Sequence, residues 1–353
     1  MSLNSLRQTI DSIDKRIVDL LNQRARIILD VGAAKVASGS SAYCPDRERE
    51  VLRKIVLHSR GPLSRQALEA VYREIMSASL SLEKPVKVAY LGPESSFTHQ
   101  AALKRFGSQV EFVPCAGIAD VFTEVEKDNA DFGVVPIENS VEGAVFHTLD
   151  MLVDSDLKVC AQVILDVAHN LLSAYPAKAI RKIYSKDQVF GQCRIWLQKH
   201  MPQAELIEVS STSRAAQIAA GQKNSAAIAS ALAGKMYRLP VVARSIEDSP
   251  HNITRFLVIG KTTGKPTGND KTSLLFSIKD KVGALHDMLV PFKKHKVNLN
   301  KIESRPSKKR AWDYYFFVDL QGHQEDRAVS KAIKELETRC KFLKILGSYP
   351  AGD

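Results

Sequence analysis

The sequence predicts a multidomain chain made of an all-α helical bundle, a two-lobed α/β domain and a small βαββαβ domain. Three observations carry this. Up to about residue 84 the apolar residues recur with the 3.6-residue period of helices. After Pro85 short apolar runs alternate with helical stretches, the pattern of an α/β domain. Beyond the polar, Gly/Pro-containing linker TTGKPTGND (262–270), four strand-like runs are interleaved with two helical patterns. At 353 residues the chain is also too long for one ordinary core.

In the first domain (1–84), Leu6, Ile10, Ile13, Ile17, Leu20, Ile28 and Val31 form one stripe, which predicts a long helix from Leu6 to Lys35. Pro45 and the charged residues after it open a second helix, which Gly61-Pro62 ends. A third runs from about Ser64 to Glu83, until Pro85 stops it. A helix roughly 50 Å long, at 1.5 Å per residue, has no place in a compact three-helix monomer, so an intertwined dimer is expected. In the second domain (86–262) the expected strands are VKVAYL (86–91), DFGVVPI (131–137), LKVCAQVIL (157–165), IRKIYS (180–185), AAIAS (226–230) and TRFLVI (254–259), in a largely parallel sheet. Two lobes around a cleft suit its size, and such folds bind ligands there. The third (272–349) reads strand, helix, strand, strand, helix, strand, the ferredoxin-like order.

The hydrophobic fraction of 44% and the charged fraction of 25% are those of a soluble globular protein. No apolar stretch approaches the roughly 20 residues that cross a bilayer, and the N-terminus lacks the pattern of a secretory signal. No membrane association is expected. Cys44, Cys115, Cys160, Cys193 and Cys340 are scattered singly with no C-x-x-C pair, which points to reduced thiols in the cytoplasm and to no metal site. The net charge of +11 comes from Lys and Arg interleaved with acids, so nucleic-acid binding is not expected; small anionic substrates would be attracted.

On a helical wheel Arg24 and Lys35 fall inside the apolar stripe of the first helix, with Arg7 at its edge. Glu48 shares the core face of the second helix, beside Arg47, and Ser79 and Glu83 share that of the third. One such side chain can snorkel to water. Polar groups on three core faces point instead to an anionic ligand, because buried charge is costly unless paired. The run LRQTIDSIDKRIVDLLNQRARIILDVGAAK, then PDRERE, then the closing helix with Ser79 and Glu83, resembles the all-helical chorismate mutase family over residues 3–84. The resemblance implies a dimer in which Arg7 reaches the partner's site, with Arg24 and Arg47 clamping the two carboxylates of chorismate. It also implies that Lys35 donates to the ether oxygen, Glu48 holds the hydroxyl and Ser79 binds a carboxylate. Many relatives have Gln where Glu83 stands and an acid where Cys44 stands. The pericyclic shift needs no nucleophile and no cofactor; what helps is a held conformer and charge stabilisation at the breaking ether bond.

The middle domain has no P-loop, no G-x-G-x-x-G after a strand and no G-x-S-x-G. Polar clusters instead follow apolar strands: Glu138-Asn139-Ser140, Ser185, Ser211-Thr212 and Thr254-Arg255. Each alone is also what a helix cap or turn requires. The ordered motifs GPESSFTHQAA, PIENSVEGAV, SKDQVFGQCRIWL, AAIAS and IEDSPHNITRF resemble prephenate dehydratase across residues 86–260. By that resemblance Thr254 assists the departing hydroxyl; Arg255 beside it is the second catalytic candidate, contributing electrostatically or else stabilising the cleft. Glu138, Asn139, Ser140, Ser185, Gln192 and Phe256 are the substrate-binding candidates. His99 and His169 read as structural, since a lone His needs a partner.

Residues 272–349 resemble an ACT domain of the phenylalanine-binding kind, on GAL (Gly283, Ala284, Leu285) and ESRP (Glu303, Ser304, Arg305, Pro306). The resemblance implies feedback inhibition by phenylalanine at those residues, in a homodimer or higher even oligomer. The combination resembles the bifunctional chorismate mutase/prephenate dehydratase family with a C-terminal regulatory domain. Two alternatives stand beside it: a two-lobed amino-acid sensor whose helices only dimerise, and a dehydratase with an inactive mutase.

Overall fold

The computed structural model describes residues 2–38, 45–83, 85–249, 251–278, 281–307 and 314–352. They form two compact units, residues 1–87 with 106–111, and residues 88–105 with 112–353.

The first unit is carried by three helices, α1 (Leu3–Ser38), α2 (Pro45–His58) and α3 (Arg65–Glu83). Pro45 opens α2 at the position where a missing N–H matters least. Ser64 starts α3, its Oγ accepting the Ala67 N–H at 3.2 Å. α3 packs against both α1 and α2. Much of the α1 stripe remains uncovered in the single chain: Leu6, Ile10, Ile13 and Ile17 are between 46% and 56% exposed.

The second unit begins with β1 (Lys87–Leu91), α4 (Phe97–Phe106), β2 (Glu111–Cys115), α5 (Ile118–Glu126), β3 (Phe132–Asn139), β4 (Gly143–Ala144), α6 (Phe146–Asp154) and β5 (Lys158–Asp166). A second lobe follows with β6 (Asn170–Leu172), β7 (Lys182–Ser185), α7 (Asp187–Gln192), α8 (Arg194–His200), β8 (Glu205–Glu208), α9 (Thr212–Gly221), β9 (Ser225–Ala229), α10 (Ala231–Met236) and β10 (Val241–Ala243). The chain then returns to the first lobe as β11 (Ile253–Gly260). The sheet orders are β2-β1-β3-β11-β5, with β4 on β3, and β10-β6-β9-β7-β8.

The expected largely parallel sheet is in fact two mixed sheets. β1–β3, β7–β8 and β7–β9 are parallel, but β11 runs antiparallel to both β3 and β5, and β6 to β9. The cause is topological. The chain leaves the first lobe at Asp166 and re-enters beside it at Ile253, its register partner, so the returning strand must run backwards.

The last part comprises β12 (Asp270–Ser277), α11 (Ala284–Lys294), β13 (Leu299–Pro306), β14 (Tyr314–Gln321), α12 (Arg327–Glu337) and β15 (Phe342–Pro350), in the sheet order β13-β14-β12-β15. All its neighbours are antiparallel, as the ferredoxin-like arrangement requires. One face packs on α11 and α12 through Leu274, Phe276, Met288 and Phe292. Through the other, Leu275, Phe317, Leu346 and Tyr349 join Val135, Ile137, Leu257 and Ile259 in a single core. Gly347 allows the close approach of β15 to β5, since a Cβ there would lie 2.2 Å from the Val159 carbonyl oxygen. The C-terminal sheet thus shares its core with the first lobe.

Candidate active sites

A cleft of about 1050 Å³ opens between the two lobes. Thr254 and Phe256 on β11, Asn139 on β3 and Gln192 at the end of α7 line it. Glu138, Ser140, Ser185 and Arg255 are not among its lining residues. For Glu138 and Arg255 the reason is strand alternation, because successive side chains on a strand point to opposite faces. Asn139 pairs with Thr254 and Glu138 with Arg255, so one pair faces the cleft and the other faces away. Ser140 closes a turn, its Oγ donating to the His251 carbonyl (2.7 Å) and accepting the Ile253 N–H (2.9 Å). Ser185 is fully buried, and its Oγ donates to the Ile228 carbonyl at 2.9 Å.

The cleft floor is a directed chain of hydrogen bonds. Asn139 Oδ1 accepts the N–H groups of Val141 (2.9 Å) and Glu142 (3.0 Å), which fixes the amide orientation. Asn139 Nδ2 then donates to Asn252 Oδ1 and to Thr254 Oγ1, each at 2.8 Å. Asn252 Nδ2 donates to Gln192 Oε1 at 3.1 Å, and Gln192 Nε2 to Glu142 at 3.0 Å. His169 Nε2 lies 2.8 Å from the same Gln192 Oε1, an acceptor, so the imidazole proton sits on Nε2. Burial holds the His169 pKa below its ordinary value, against the opposing effects of Gln192 and Glu247, which favours the neutral ring. The consequence for Thr254 is specific. Its oxygen already accepts from Asn139, so its own hydroxyl hydrogen is available to the cleft.

Opposite this floor the second lobe supplies positive potential. Lys186 and Arg214 line the cleft, as do Ser211 and Thr212 at the N-terminus of α9. Cations and a helix N-terminus favour carboxylates. Sequence reasoning missed Asn252, Glu142, Lys186 and Arg214 as site residues and assigned His169 a structural part. Asn252 had a signal: it immediately precedes β11, two residues before Thr254, so a period of two carries the cleft face back from Phe256 and Thr254 to Asn252. His99 lies outside the lining; it stacks on Tyr90 at 4.6 Å, and its Nδ1 accepts the Ser95 N–H at 3.0 Å.

In the helical unit Arg24 donates to Ser79 Oγ, joining α1 to α3, and Ser79 Oγ donates to the Ile75 carbonyl at 2.7 Å. Lys35 and Glu48 are half-buried. Arg47 is exposed and paired with Glu50 at 2.5 Å, and the neighbouring Lys54 and Arg47 hold the Glu50 carboxyl at about 2. Arg7 is exposed, and 17 residues of helix place it about 25 Å along α1 from Arg24. One chain therefore does not bring Arg7 to Arg24. The Glu83 side chain and Cys44 lie outside the described residues.

At the C-terminal sheet Gly283 precedes α11 with φ +76°, a left-handed conformation that glycine adopts at little cost. Along β13 the ESRP residues divide. Ser304 pairs with Phe316 and Pro306 with Tyr314; Glu303 pairs with Phe317, on the face turned to the first lobe. Arg305 forms two 2.8 Å bonds to Asp150 on α6 and lies 4.4 Å over the Phe146 ring. Glu303 and Arg305 therefore face the first lobe, and Ser304 and Pro306 alternate to the other side. No helix among the described residues is long and apolar enough to cross a membrane.

Comparison with known proteins assigns each region. Residues 88–264 match the family model for prephenate dehydratase, residues 6–84 that for chorismate mutase type II and residues 272–338 that for the ACT domain. The bifunctional chorismate mutase/prephenate dehydratase of Aquifex aeolicus is 50% identical over 353 residues, covering 99% of this chain and 98% of that protein. The Pseudomonas aeruginosa protein of the same name is 44% identical, covering 99% and 97%. Among solved structures, the prephenate dehydratase of Arthrobacter aurescens in complex with L-Phe is 31% identical with a TM-score of 0.70, covering 75% of this chain and 90% of that one. The order of the three regions, the polar cleft and the full-length similarity agree: this chain belongs to the bifunctional chorismate mutase/prephenate dehydratase family.

Proposed function

We propose that the helical unit rearranges chorismate to prephenate, that the cleft at Thr254 converts prephenate to phenylpyruvate, and that L-phenylalanine acting on the C-terminal domain restrains the second step. The observation that carries the dehydratase reading is the Thr254 hydroxyl in the cleft, its oxygen accepting from Asn139, which leaves its hydrogen for a ligand. In the reaction the ring–carboxylate bond breaks and releases CO2. Its electron pair enters the ring, and the ring hydroxyl leaves from the opposite carbon. Thr254 hydrogen-bonds that departing oxygen, and one proton, replenished from solvent, lets it leave as water. Aromatisation drives the step, so a hydroxyl donor suffices. Lys186 and Arg214 hold the substrate carboxylates, while Gln192 and Asn252 keep Asn139 in place. Purified protein given prephenate alone should form phenylpyruvate; no product from a folded protein would contradict this reading.

For the mutase, Arg24, Arg47 and the Arg7 of a second subunit bind the carboxylates, Ser79 assists, Glu48 holds the hydroxyl and Lys35 meets the ether oxygen. The exposed stripe Leu6, Ile10, Ile13 and Ile17 and the separation of Arg7 from Arg24 support an intertwined homodimer in which the second subunit supplies Arg7. Glu83 has to be protonated to donate to an ether oxygen that gains negative charge, because a carboxylate can only accept. Mutase kcat/KM should therefore fall as pH rises through the Glu83 pKa, and Glu83→Gln should flatten that limb. Identical alkaline limbs in the two pH profiles would remove Glu83 from the site.

The L-Phe complex of the Arthrobacter aurescens enzyme supports the effector reading. Exposed Leu285 and Ile302 supply an apolar surface for the effector or a second copy. Because Leu275, Phe317, Leu346 and Tyr349 belong to the shared core, point substitution is a cleaner test than removing the domain. Gly283→Val meets nothing within 4 Å, but a β-branched residue is strained at φ +76°. It should raise the half-inhibitory concentration of L-phenylalanine by about 5-fold or more, the lower end of usual coupling energies. Unchanged inhibition would place the effector elsewhere.

A further inference from the structure

The residue beside Thr254 has its back to the cleft, and what it meets there is the regulatory sheet. Arg255 is a buried cation on β11, its side chain 11% exposed. Its Nη1 donates to Asp319 Oδ2 at 2.5 Å and its Nη2 to the Tyr349 hydroxyl at 2.8 Å. Ser273 Oγ donates to Asp319 Oδ1 at 2.5 Å, so its contact with Tyr349 at 2.7 Å must be one in which the tyrosine donates. The result is a closed ring with Arg255 as double donor and Asp319 as double acceptor: one arm runs from Arg255 to Tyr349, Tyr349 to Ser273 and Ser273 to Asp319, and the other from Arg255 directly to Asp319. Burial opposes the Arg255 charge, but the Asp319 and Glu138 carboxylates favour it, and the guanidinium stays protonated.

The ring is continuous with the cross-strand partner of Arg255. Glu138 lies 3.7 Å from Arg255 Nη1 and 2.8 Å from Lys301 Nζ on β13, the strand that also carries the ESRP residues. Each strand of the C-terminal sheet contributes one member: Ser273 from β12, Lys301 from β13, Asp319 from β14 and Tyr349 from β15. Ser273 and Lys301 are both register partners of Asp319, so these three form a row across the sheet, which Tyr349 joins through its bond to Ser273 from two residues beyond the β15 partner, Gly347. On the opposite side, Arg255 and Glu138 are immediate chain neighbours of Thr254 and Asn139. The row therefore contacts the two residues that flank the pair aiming the Thr254 hydroxyl.

We propose that Arg255 and Glu138 are positioning residues for the dehydratase reaction, set by the Asp319–Ser273–Tyr349 row of the C-terminal sheet and not by contact with substrate. The proposal rests on Thr254 as the group that meets the departing hydroxyl. A residue that binds prephenate changes KM; one that aims Thr254 changes kcat and leaves KM nearly untouched.

Tyr349→Phe is the primary test, since it opens the ring while leaving every buried charge with its counter-charge. It should lower dehydratase kcat by roughly threefold to tenfold, the range spanned by one neutral hydrogen bond, with KM for prephenate and the mutase rate unchanged. Asp319→Asn should act in the same direction and more strongly. Arg255→Lys, which keeps the charge but loses the fork, should lower kcat alone, and its effect should be less than additive with Tyr349→Phe because both open one ring. Thermal melting and the mutase rate report whether each variant is folded. Two outcomes overturn the proposal while leaving Thr254 in its role: Arg255→Lys raising KM with kcat intact, or Tyr349→Phe and Asp319→Asn both retaining full kcat when Thr254→Val is inactive. A fully active Thr254→Val enzyme would remove the premise itself.

Discussion

Thr254→Val should lower the dehydratase kcat by about 10²–10⁴-fold, the usual contribution of a positioned proton donor, and leave the mutase rate of the same protein unchanged. The substitution is nearly isosteric, and it removes one oxygen that accepts from Asn139 at 2.8 Å. Asn139 keeps its three other bonds, to Asn252, Val141 and Glu142, so the cleft floor retains its shape. What disappears is the hydroxyl donor at the cleft floor. Prephenate should still bind, since Lys186 and Arg214 lie on the other lobe, so the loss falls on kcat and only weakly on KM. A loss confined to KM would make Thr254 a binding group, and a loss of mutase activity in folded protein would contradict two separate sites.

The reciprocal result is expected for Arg24→Ala. Arg24 is half-buried on α1 and joined to Ser79 on α3, so its guanidinium is already held beside a second predicted carboxylate ligand. Truncating one partner of a buried charge pair costs on the order of 3 kcal/mol. At 1.36 kcal/mol per tenfold that is more than a hundredfold in mutase kcat/KM. Dehydratase activity on supplied prephenate should be untouched. Ser79 keeps its bond to Ile75, so α3 has no reason to unwind. Arg24→Lys should recover little, because an ammonium cannot make the paired contact of a guanidinium fork with a carboxylate. Near-full recovery in Arg24→Lys would mean that charge alone suffices there.

The three regions were legible because each announces itself by period: a sustained 3.6-residue repeat in α1, α2 and α3, alternating strand and helix patterns after Pro85, and six ordered elements after the linker. The short strands β2, β4, β6 and β10 were not, since two to five residues of mixed polarity carry no repeat. Strand direction is likewise invisible in composition. β11 reads as apolar whichever way it runs, and only the return of the chain beside Asp166 makes it antiparallel. The site was partly legible. Thr254, Phe256, Asn139 and Gln192 reach the cleft as expected. Arg255 and Glu138 were grouped with them as neighbours in sequence, although a period of two puts neighbours on opposite faces. Asp319 and Tyr349 gave no warning at all, because a lone acid in WDYYFFVDL and a tyrosine near the chain end have no local pattern that marks a partner for Arg255.

The most direct test of the two-step account supplies the purified protein with chorismate alone and follows chorismate, prephenate and phenylpyruvate together in time. The account predicts that chorismate disappears, prephenate rises and falls, and phenylpyruvate accumulates to match the chorismate lost, with L-phenylalanine slowing only the last stage. Chorismate left unconsumed by folded protein, or converted to prephenate that never becomes phenylpyruvate, would contradict it.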